Sequence, residues 1–258
     1  MPVYKAEAIV IRRVNFGEAD RLVTLYARDH GKIAAVAKGA RKPKSRFAGR
    51  LELFTHIRAL LAVGKTLDVV SQIEVVEPFA PLRADLTRFG YASLVAELMD
   101  RATADREPAP EIFRALCAAL TLIADGDAER ASLWFAARIL ALIGYAPVVG
   151  RCAVCGRPIA GSAAYSCALG GTLCEADRQR DPQATTVSAA TLKSVAFLQE
   201  AGVEKLSRLA LDGRLRTDLT GVLHRSLEYR LETRLKSPLV IQKLRERGNE
   251  GTMERGVV

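Results

Sequence analysis

The chain has 258 residues, of which 49% are hydrophobic and 26% are charged, and its formal net charge is +9. This length can bury a core divided over two or three units, and the composition is that of a soluble globular protein. The N-terminus lacks the long apolar segment of a secretory signal. The most apolar run, residues 131–145, is interrupted by Arg138 and is too short to span a bilayer.

The positive charge is concentrated in the first third of the chain. Residues 1–80 carry 14 Lys and Arg against 8 Asp and Glu, whereas residues 81–258 carry 24 against 21. A localised excess of one sign indicates a binding face for an anionic partner, while an even distribution would indicate only solubility.

Alternating apolar residues and turn signals predict five short strands in the first 77 residues, at 3–13, 21–28, 32–38, 51–63 and 66–76. A long excursion separates the third strand from the fourth. This pattern favours a small closed barrel of the oligonucleotide/oligosaccharide-binding (OB) kind. The strand count is also compatible with an SH3-like barrel.

The excursion contains a basic segment without any acidic residue, KGARKPKSRFAGR at 38–50. Its glycines and its proline disfavour a helix, so we expect a loop whose charges point outward. Such a loop can neutralise the phosphates of a nucleic acid without reading its sequence, although a merely solubilising loop is the plainer alternative. Phe47 can stack on a base or, alternatively, fill the barrel. The predicted phosphate contacts are Lys38, Arg41, Lys42, Lys44, Arg46 and Arg50, extended by Arg12, Arg13, Arg21 and Lys32.

The hydrophobic period becomes helical after Pro78 and Pro81. Apolar stripes predict helices around 86–99 and 112–123, and a third segment at 133–143 is apolar nearly all round, as expected of a bundle core. Further helices are predicted at 188–200 and 215–236. The resulting class is α+β multidomain. We expect an OB-fold barrel at 1–80, a helical-bundle domain at 81–149 and 181–242, a zinc-finger-like insertion at 150–180, and a disordered tail at 243–258.

Four of the five cysteines lie within 23 residues of one another, which favours metal binding in a reducing cytoplasm over disulfides. Cys152 and Cys155, followed by Gly156, have the spacing of a zinc knuckle. The second half is less regular, because Cys167 and Cys174 form no second CxxC motif. We predict a closed, structural zinc site of Cys152, Cys155, Cys167 and Cys174, with Asp177 as the alternative to Cys167. A site without metal is the remaining possibility.

Nothing in the sequence predicts catalysis. The segment VGKT at 63–66 imitates the end of a phosphate-binding loop, but Ala59 stands where its first glycine is required. No carboxylate cluster indicates a metal-dependent nuclease, so we expect a protein that is not an enzyme. A protein-interaction scaffold, whose basic loop docks an acidic partner, is the alternative function.

Three phrases, KGARKPKSRFAGRLELF, GYAPVVGRCAVCG and GGTLC, occur in this order along the chain and resemble the RecO family of bacterial recombination mediators. The resemblance implies an OB-fold barrel, a helical domain and a zinc-finger-like module. It also implies binding of single- and double-stranded DNA, annealing of complementary strands, and work with RecR to load the RecA recombinase. Contact with the C-terminal tail of single-stranded-DNA-binding protein and a cytoplasmic, nucleoid-associated location complete the expectation. Asp177 departs from the family pattern, since many members place a cysteine there.

Overall fold

The computed structural model describes residues 2–244 and divides the chain into two compact units. The first unit runs to Ala128 and includes the described residues from Lys236 onward, and the second comprises Glu129–Leu235. The domain boundaries expected from the sequence remain a prediction. From residue 245 onward, the predicted tail lies outside the described residues.

A closed five-stranded barrel forms the front of the first unit. Its strands are β1 (Val3–Phe16), β2 (Asp20–Ala27), β3 (Gly31–Ala37), β4 (His56–Ala62) and β5 (Asp68–Glu77), paired in the order β1-β2-β3-β5-β4. The β3–β5 pair is parallel, through Ala35 and Asp68, whereas the other neighbouring pairs are antiparallel. This arrangement confirms the predicted OB fold.

The barrel core is built from alternate residues of each strand, because successive side chains of a strand point to opposite faces. Ile33, Ala35 and Ala37 of β3 are buried in this way. The predicted fourth strand started at residue 51, but β4 begins at His56. Residues 51–55 turn instead, with Phe54 buried at a φ of 70°, and the Phe54 N–H donates to the Val10 carbonyl at 2.8 Å.

Three helices and a C-terminal segment complete the first unit: α1 (Pro81–Ala84), α2 (Leu86–Ala102), α3 (Pro110–Asp125) and a helical stretch over 237–244. Asp85 caps α2 by accepting a hydrogen bond from the Arg88 N–H at 2.8 Å. The helices predicted around 86–99 and 112–123 are therefore confirmed.

The connector between α2 and α3 lies along the edge of β3. The Arg106 N–H donates to the Lys32 carbonyl at 3.0 Å, and the Lys32 ammonium donates to the Asp100 carbonyl at 2.7 Å. Gly31, with a φ of 64°, has no room for a Cβ atom, which would lie 2.2 Å from the Glu107 carbonyl oxygen. The close approach of the connector explains the glycine at this position.

The second unit combines helices with a small sheet. It contains α4 (Ala128–Leu142, from Glu129 onward), α5 (Ala189–Glu200) and α6 (Gly213–Arg230). The strands β6 (Ala163–Ser166), β7 (Gly171–Leu173) and β8 (Thr185–Val187) pair in the order β7-β6-β8. Most of α4 is buried, as its all-round apolar sequence predicts. The helix α6 ends at Arg230 and not at the predicted residue 236, and Glu232 has a φ of 49°.

Within residues 2–244, no helix combines the length and the apolar character that crossing a membrane would require.

Candidate nucleic-acid interface and candidate metal centre

The basic loop, residues 38–50, is a succession of tight turns. Backbone N–H groups donate three residues back along the loop, from Lys42 to the Gly39 carbonyl at 3.1 Å, from Ser45 to Lys42 at 2.9 Å, and from Ala48 to Ser45 at 3.1 Å. Gly39 and Gly49 supply positive φ values of 68° and 71°. The backbone therefore satisfies many of its own hydrogen bonds, and the long side chains remain outside.

Hydrogen bonds hold the basic loop against the turn between β1 and β2. The Arg41 N–H donates to the Ala19 carbonyl at 2.8 Å, and the Arg41 guanidinium donates to the Gly17 carbonyl at 3.0 Å. The Gly39 N–H donates to the Asp20 carboxylate at 2.7 Å. These contacts give the loop a defined position on the barrel.

The six cations of the basic loop are all exposed. None of them forms an ion pair with a carboxylate of residues 2–244, although other cations of the barrel do. Like charges that are close together and not compensated by acids produce a positive potential that attracts a polyanion. The structure thus brings together Lys38, Arg41, Lys42, Lys44, Arg46 and Arg50.

Three of the four cations predicted to extend this surface are engaged by acids. Arg13 and Arg21 both form ion pairs with Glu52, and Lys32 lies 3.5 Å from a carboxylate oxygen of Asp105. These side chains are only partly exposed. We therefore withdraw them as phosphate contacts. Arg12 is exposed and forms no ion pair within the described part of the chain.

Phe47 does not present its ring to solvent. The residue is 2% exposed and packs in the barrel core with Ala40 and Leu51. The Arg46 guanidinium lies 4.9 Å from the ring centroid. The stacking role predicted for Phe47 is wrong, because a base cannot reach a buried ring; the alternative, a side chain that fills the barrel, describes its position.

A candidate metal centre occupies the second unit. The ligand atoms of Cys152, Cys155, Cys174 and Asp177 all lie within 4.8 Å of one another. The Asp177 carboxylate is 3.3 Å from the Cys152 sulfur and 3.2 Å from the Cys174 sulfur, and the sulfurs of Cys155 and Cys174 are 3.7 Å apart. Three sulfurs and one oxygen at these distances can hold a metal ion.

Cys167 lies outside this cluster. Its sulfur is 3.9 Å from the Ser226 hydroxyl on α6. The expected four-cysteine set is therefore not assembled, and Asp177, the alternative, supplies the fourth ligand atom of the cluster. The reason is local: Asp177 follows Cys174 by three residues in the helical turn Glu175–Arg180, and its N–H donates to the Cys174 carbonyl at 3.0 Å.

The electrostatics of the cluster favour anionic ligands. Burial opposes ionisation of Cys152, but backbone N–H groups, first that of Cys155 and then that of Cys174, lower the pKa of its thiol. Hydrogen bonds from Cys155, Cys174 and Cys152 lower the pKa of Asp177 to about 2, helped by Arg180. Gly156, with a φ of 74°, closes the knuckle, and its N–H donates to the Cys152 carbonyl at 3.0 Å.

Two supporting residues were missed by the sequence analysis. Arg180 donates to the outer oxygen of Asp177 at 2.9 Å, and its spacing of three residues from that ligand within one helical turn was a usable signal. Glu52 pairs with two arginines that lie more than 30 residues earlier. No local pattern predicts such a pairing.

Two family models match this chain, "Recombination protein O N terminal" over residues 1–79 and "Recombination protein O C terminal" over residues 83–239. A protein named DNA repair protein RecO from Pelotomaculum thermopropionicum is 41% identical, covering 92% of this chain and 93% of its own length. Proteins of the same name from Symbiobacterium thermophilum, at 34% identity, and Bifidobacterium adolescentis, at 35%, match 95% and 92% of this chain and 99% and 98% of their own lengths. The chain therefore belongs to the RecO family.

Proposed function

We propose that this protein is a recombination mediator of DNA repair that binds single- and double-stranded DNA, anneals complementary strands and helps to load a recombinase. One observation carries the proposal: six exposed cations of the basic loop have no acidic partner among residues 2–244. The OB fold of the barrel and the name of the relatives, DNA repair protein RecO, agree with it.

The physical basis of annealing is electrostatic. Two strands must approach each other although both are polyanions, and Lys and Arg side chains reduce their repulsion by replacing condensed counterions. Contacts to phosphates leave base edges available for pairing and carry no sequence code. No bond is broken in this process, so the proposed activity requires no catalytic residue.

The proposed partners follow from membership of the family. RecR and the acidic C-terminal tail of single-stranded-DNA-binding protein are the proposed protein partners, and RecA is the recombinase that benefits. The proposed location is the cytoplasm, in association with the nucleoid.

The test removes Arg41, Lys42, Lys44 and Arg46 together by substitution with Ala. Single-stranded DNA should bind more weakly, and the salt dependence should flatten, by about 0.7 in the log–log slope for each phosphate that the variant no longer neutralises. Fluorescence anisotropy with a labelled oligonucleotide, recorded over a series of salt concentrations, measures both quantities.

A matched control removes the same charge from exposed positions of the second unit: Lys193, Lys205, Arg208 and Arg214. This variant should keep the wild-type slope. An unchanged slope in the loop variant would refute the assignment of the phosphate contacts. If the wild-type protein bound an acidic polypeptide through this loop but no DNA, the scaffold function would replace the proposal.

We also propose that the Cys152 cluster holds a structural zinc ion. Zinc accepts cysteine sulfur and aspartate oxygen in a tetrahedral shell, and four protein ligands leave no position for a reactive water. Apart from Cys152 and Cys174, the small core beside the site consists of Ala164, Leu173, Ile159 and Ala184. A bound ion would therefore contribute substantially to the stability of this module.

Substitution of the two competing ligands tests the zinc site. Asp177→Ala should lower the zinc content of the purified protein, because it removes one of four ligands, whereas Cys167→Ser should retain it. Elemental analysis gives the zinc-to-protein ratio. Loss of zinc from Cys167→Ser, with retention in Asp177→Ala, would restore the four-cysteine set.

A further inference from the structure

The exterior face of β1, β2 and β3 exposes apolar side chains next to the basic loop. Phe16 is 51% exposed and Val14 is 48% exposed. Because alternate residues of a strand share a face, Arg12, which is also exposed, lies on the same side as these two. The cross-strand neighbour of Val14 is Leu22, and that of Leu22 on β3 is Val36, so the apolar surface continues across three strands.

The basic loop lies beside the Phe16 end of this surface. The Arg41 guanidinium donates to the carbonyl of Gly17, the residue that follows Phe16. Lys38 directly follows the end of β3 and is exposed. An exposed ring is thus placed near cations at one end of the face, while Arg12 supplies a cation farther along it.

The acidic residues of this region do not cancel the cations. Asp20 is the cross-strand partner of Phe16, and its carboxylate accepts the Gly39 N–H of the basic loop at 2.7 Å. Glu18 is exposed at the turn and forms no ion pair within residues 2–244. The exposed cations of the loop outnumber these two acids, so the surface remains suited to an anionic ligand.

We infer that this face is a base-stacking surface for single-stranded DNA, in which Phe16 stacks on a base while Arg12, Lys38 and Arg41 hold the adjacent phosphates. The inference rests on the proposed DNA-binding function and names the aromatic residue that function needs, since Phe47 is buried. The occupant is a single strand because its bases offer open faces, whereas those of a duplex are stacked on each other. OB folds commonly bind oligonucleotides through the surface of strands 2 and 3 and the loop between strands 1 and 2.

The first test is Phe16→Ala, measured with single-stranded and double-stranded oligonucleotides of equal length. Affinity for the single strand should fall by about tenfold, the typical effect of removing one base–aromatic stack. Affinity for the duplex should be unchanged, because phosphate contacts are retained. The matched control is Tyr229→Ala in the second unit, since Tyr229 is also 51% exposed; it should leave both affinities unaltered.

The second test is Phe16→Trp, which places a fluorescent ring at the site. The chain has a single tryptophan, Trp134, which is buried in the second unit, so the added signal is obtained by comparison with the wild type. Stacking on oligothymidylate should quench the added fluorescence. Phe16→Leu, which keeps an apolar side chain but no ring, should lose single-strand affinity as Phe16→Ala does, and it serves as the test if the alanine variant melts early.

The outcomes separate this inference from the proposed function. If the wild type binds DNA while Phe16→Ala and Phe16→Leu bind the single strand equally well, the stacking role is refuted and the basic loop remains as the binding element. Equal losses for single strand and duplex would also refute it, because they would indicate a general effect on the surface. A wild-type protein that bound no DNA would instead refute the proposed function itself.

Discussion

At the scale of single residues, Phe47 shows how an apolar side chain can organise a charged loop. The ring fills the barrel, Leu51 is buried beside it, and the cations around Phe47 are exposed. Anchoring by buried residues limits the conformations of the loop, so its cations are presented on one surface of the barrel.

We predict that Phe47→Ala lowers the free energy of unfolding by about 3–5 kcal/mol, because it leaves a cavity in the barrel core. Phe47→Leu should cost less and should retain single-strand affinity. Denaturant unfolding and anisotropy titration measure the two properties. A leucine variant of wild-type stability that had lost single-strand affinity would show that the ring contacts DNA after all.

The metal cluster shows what a sequence can predict at this scale. The spacing of Cys152 and Cys155 was sufficient to locate half of the site, because the knuckle is a local structure. The choice between Cys167 and Asp177 depended on the position of α6 beside Cys167 and on a helical turn after Cys174. The first of these is a contact between residues 59 apart in sequence, for which no local pattern exists.

At the scale of elements, a buried carboxylate joins the barrel to the connector between α2 and α3. Asp68, at the start of β5, is fully buried and accepts hydrogen bonds from the Tyr4 hydroxyl, the Gly64 N–H at 3.1 Å and the Arg106 guanidinium at 2.8 Å. Burial alone would raise the pKa of Asp68, but these three donors hold it below the usual range. Burial and the neighbouring Asp68 raise the pKa of Tyr4 to about 12.

We predict that this carboxylate makes the stability of the first unit sensitive to acid. Its pKa is lower in the folded chain than in the unfolded chain, where it is about 3.9, so the unfolded chain binds the proton more readily. The stabilisation is present above about pH 4 and is lost as the pH falls through the folded pKa. Between about pH 5 and pH 3, the free energy of unfolding should therefore fall more steeply for the wild type than for Asp68→Asn.

The control for this prediction is Glu74→Gln, which removes an exposed carboxylate paired with Arg58 at 3.7 Å. An exposed pair contributes little, so its acid dependence should resemble that of the wild type. Urea titrations at several pH values measure the slopes. Identical slopes for wild type and Asp68→Asn would mean that Asp68 is not the group responsible.

The elements themselves were largely predictable, for a physical reason. Strand and helix periods are local properties, so the five strands, and the helices α2 to α5, were located close to their observed positions. The errors fall where tertiary contacts decide the conformation. Residues 51–55 have the apolar character of a strand, but burial of Leu51 and Phe54 bends them into a turn; α6 ends early, at Arg230, where the Leu231 N–H completes the last turn.

At the scale of the whole molecule, the two candidate sites belong to different units. The basic loop and Phe16 lie in the first unit, and the metal cluster lies in the second. The barrel core contains residues of all five strands and of the basic loop, and none from the metal cluster. Each site is therefore supported by its own core.

This separation predicts different responses to metal removal. Prolonged treatment with a strong zinc chelator should lower the thermal stability of the second unit, because metal binding contributes to the folding of a module with a small core. Single-strand affinity should remain at the wild-type value, since the basic loop and Phe16 keep their supporting interactions. Calorimetry before and after chelation, followed by anisotropy titration of the same samples, measures both effects, and readdition of zinc should reverse the first. A parallel loss of DNA affinity would show that the metal site supports the DNA-binding surface and that the two units do not act separately.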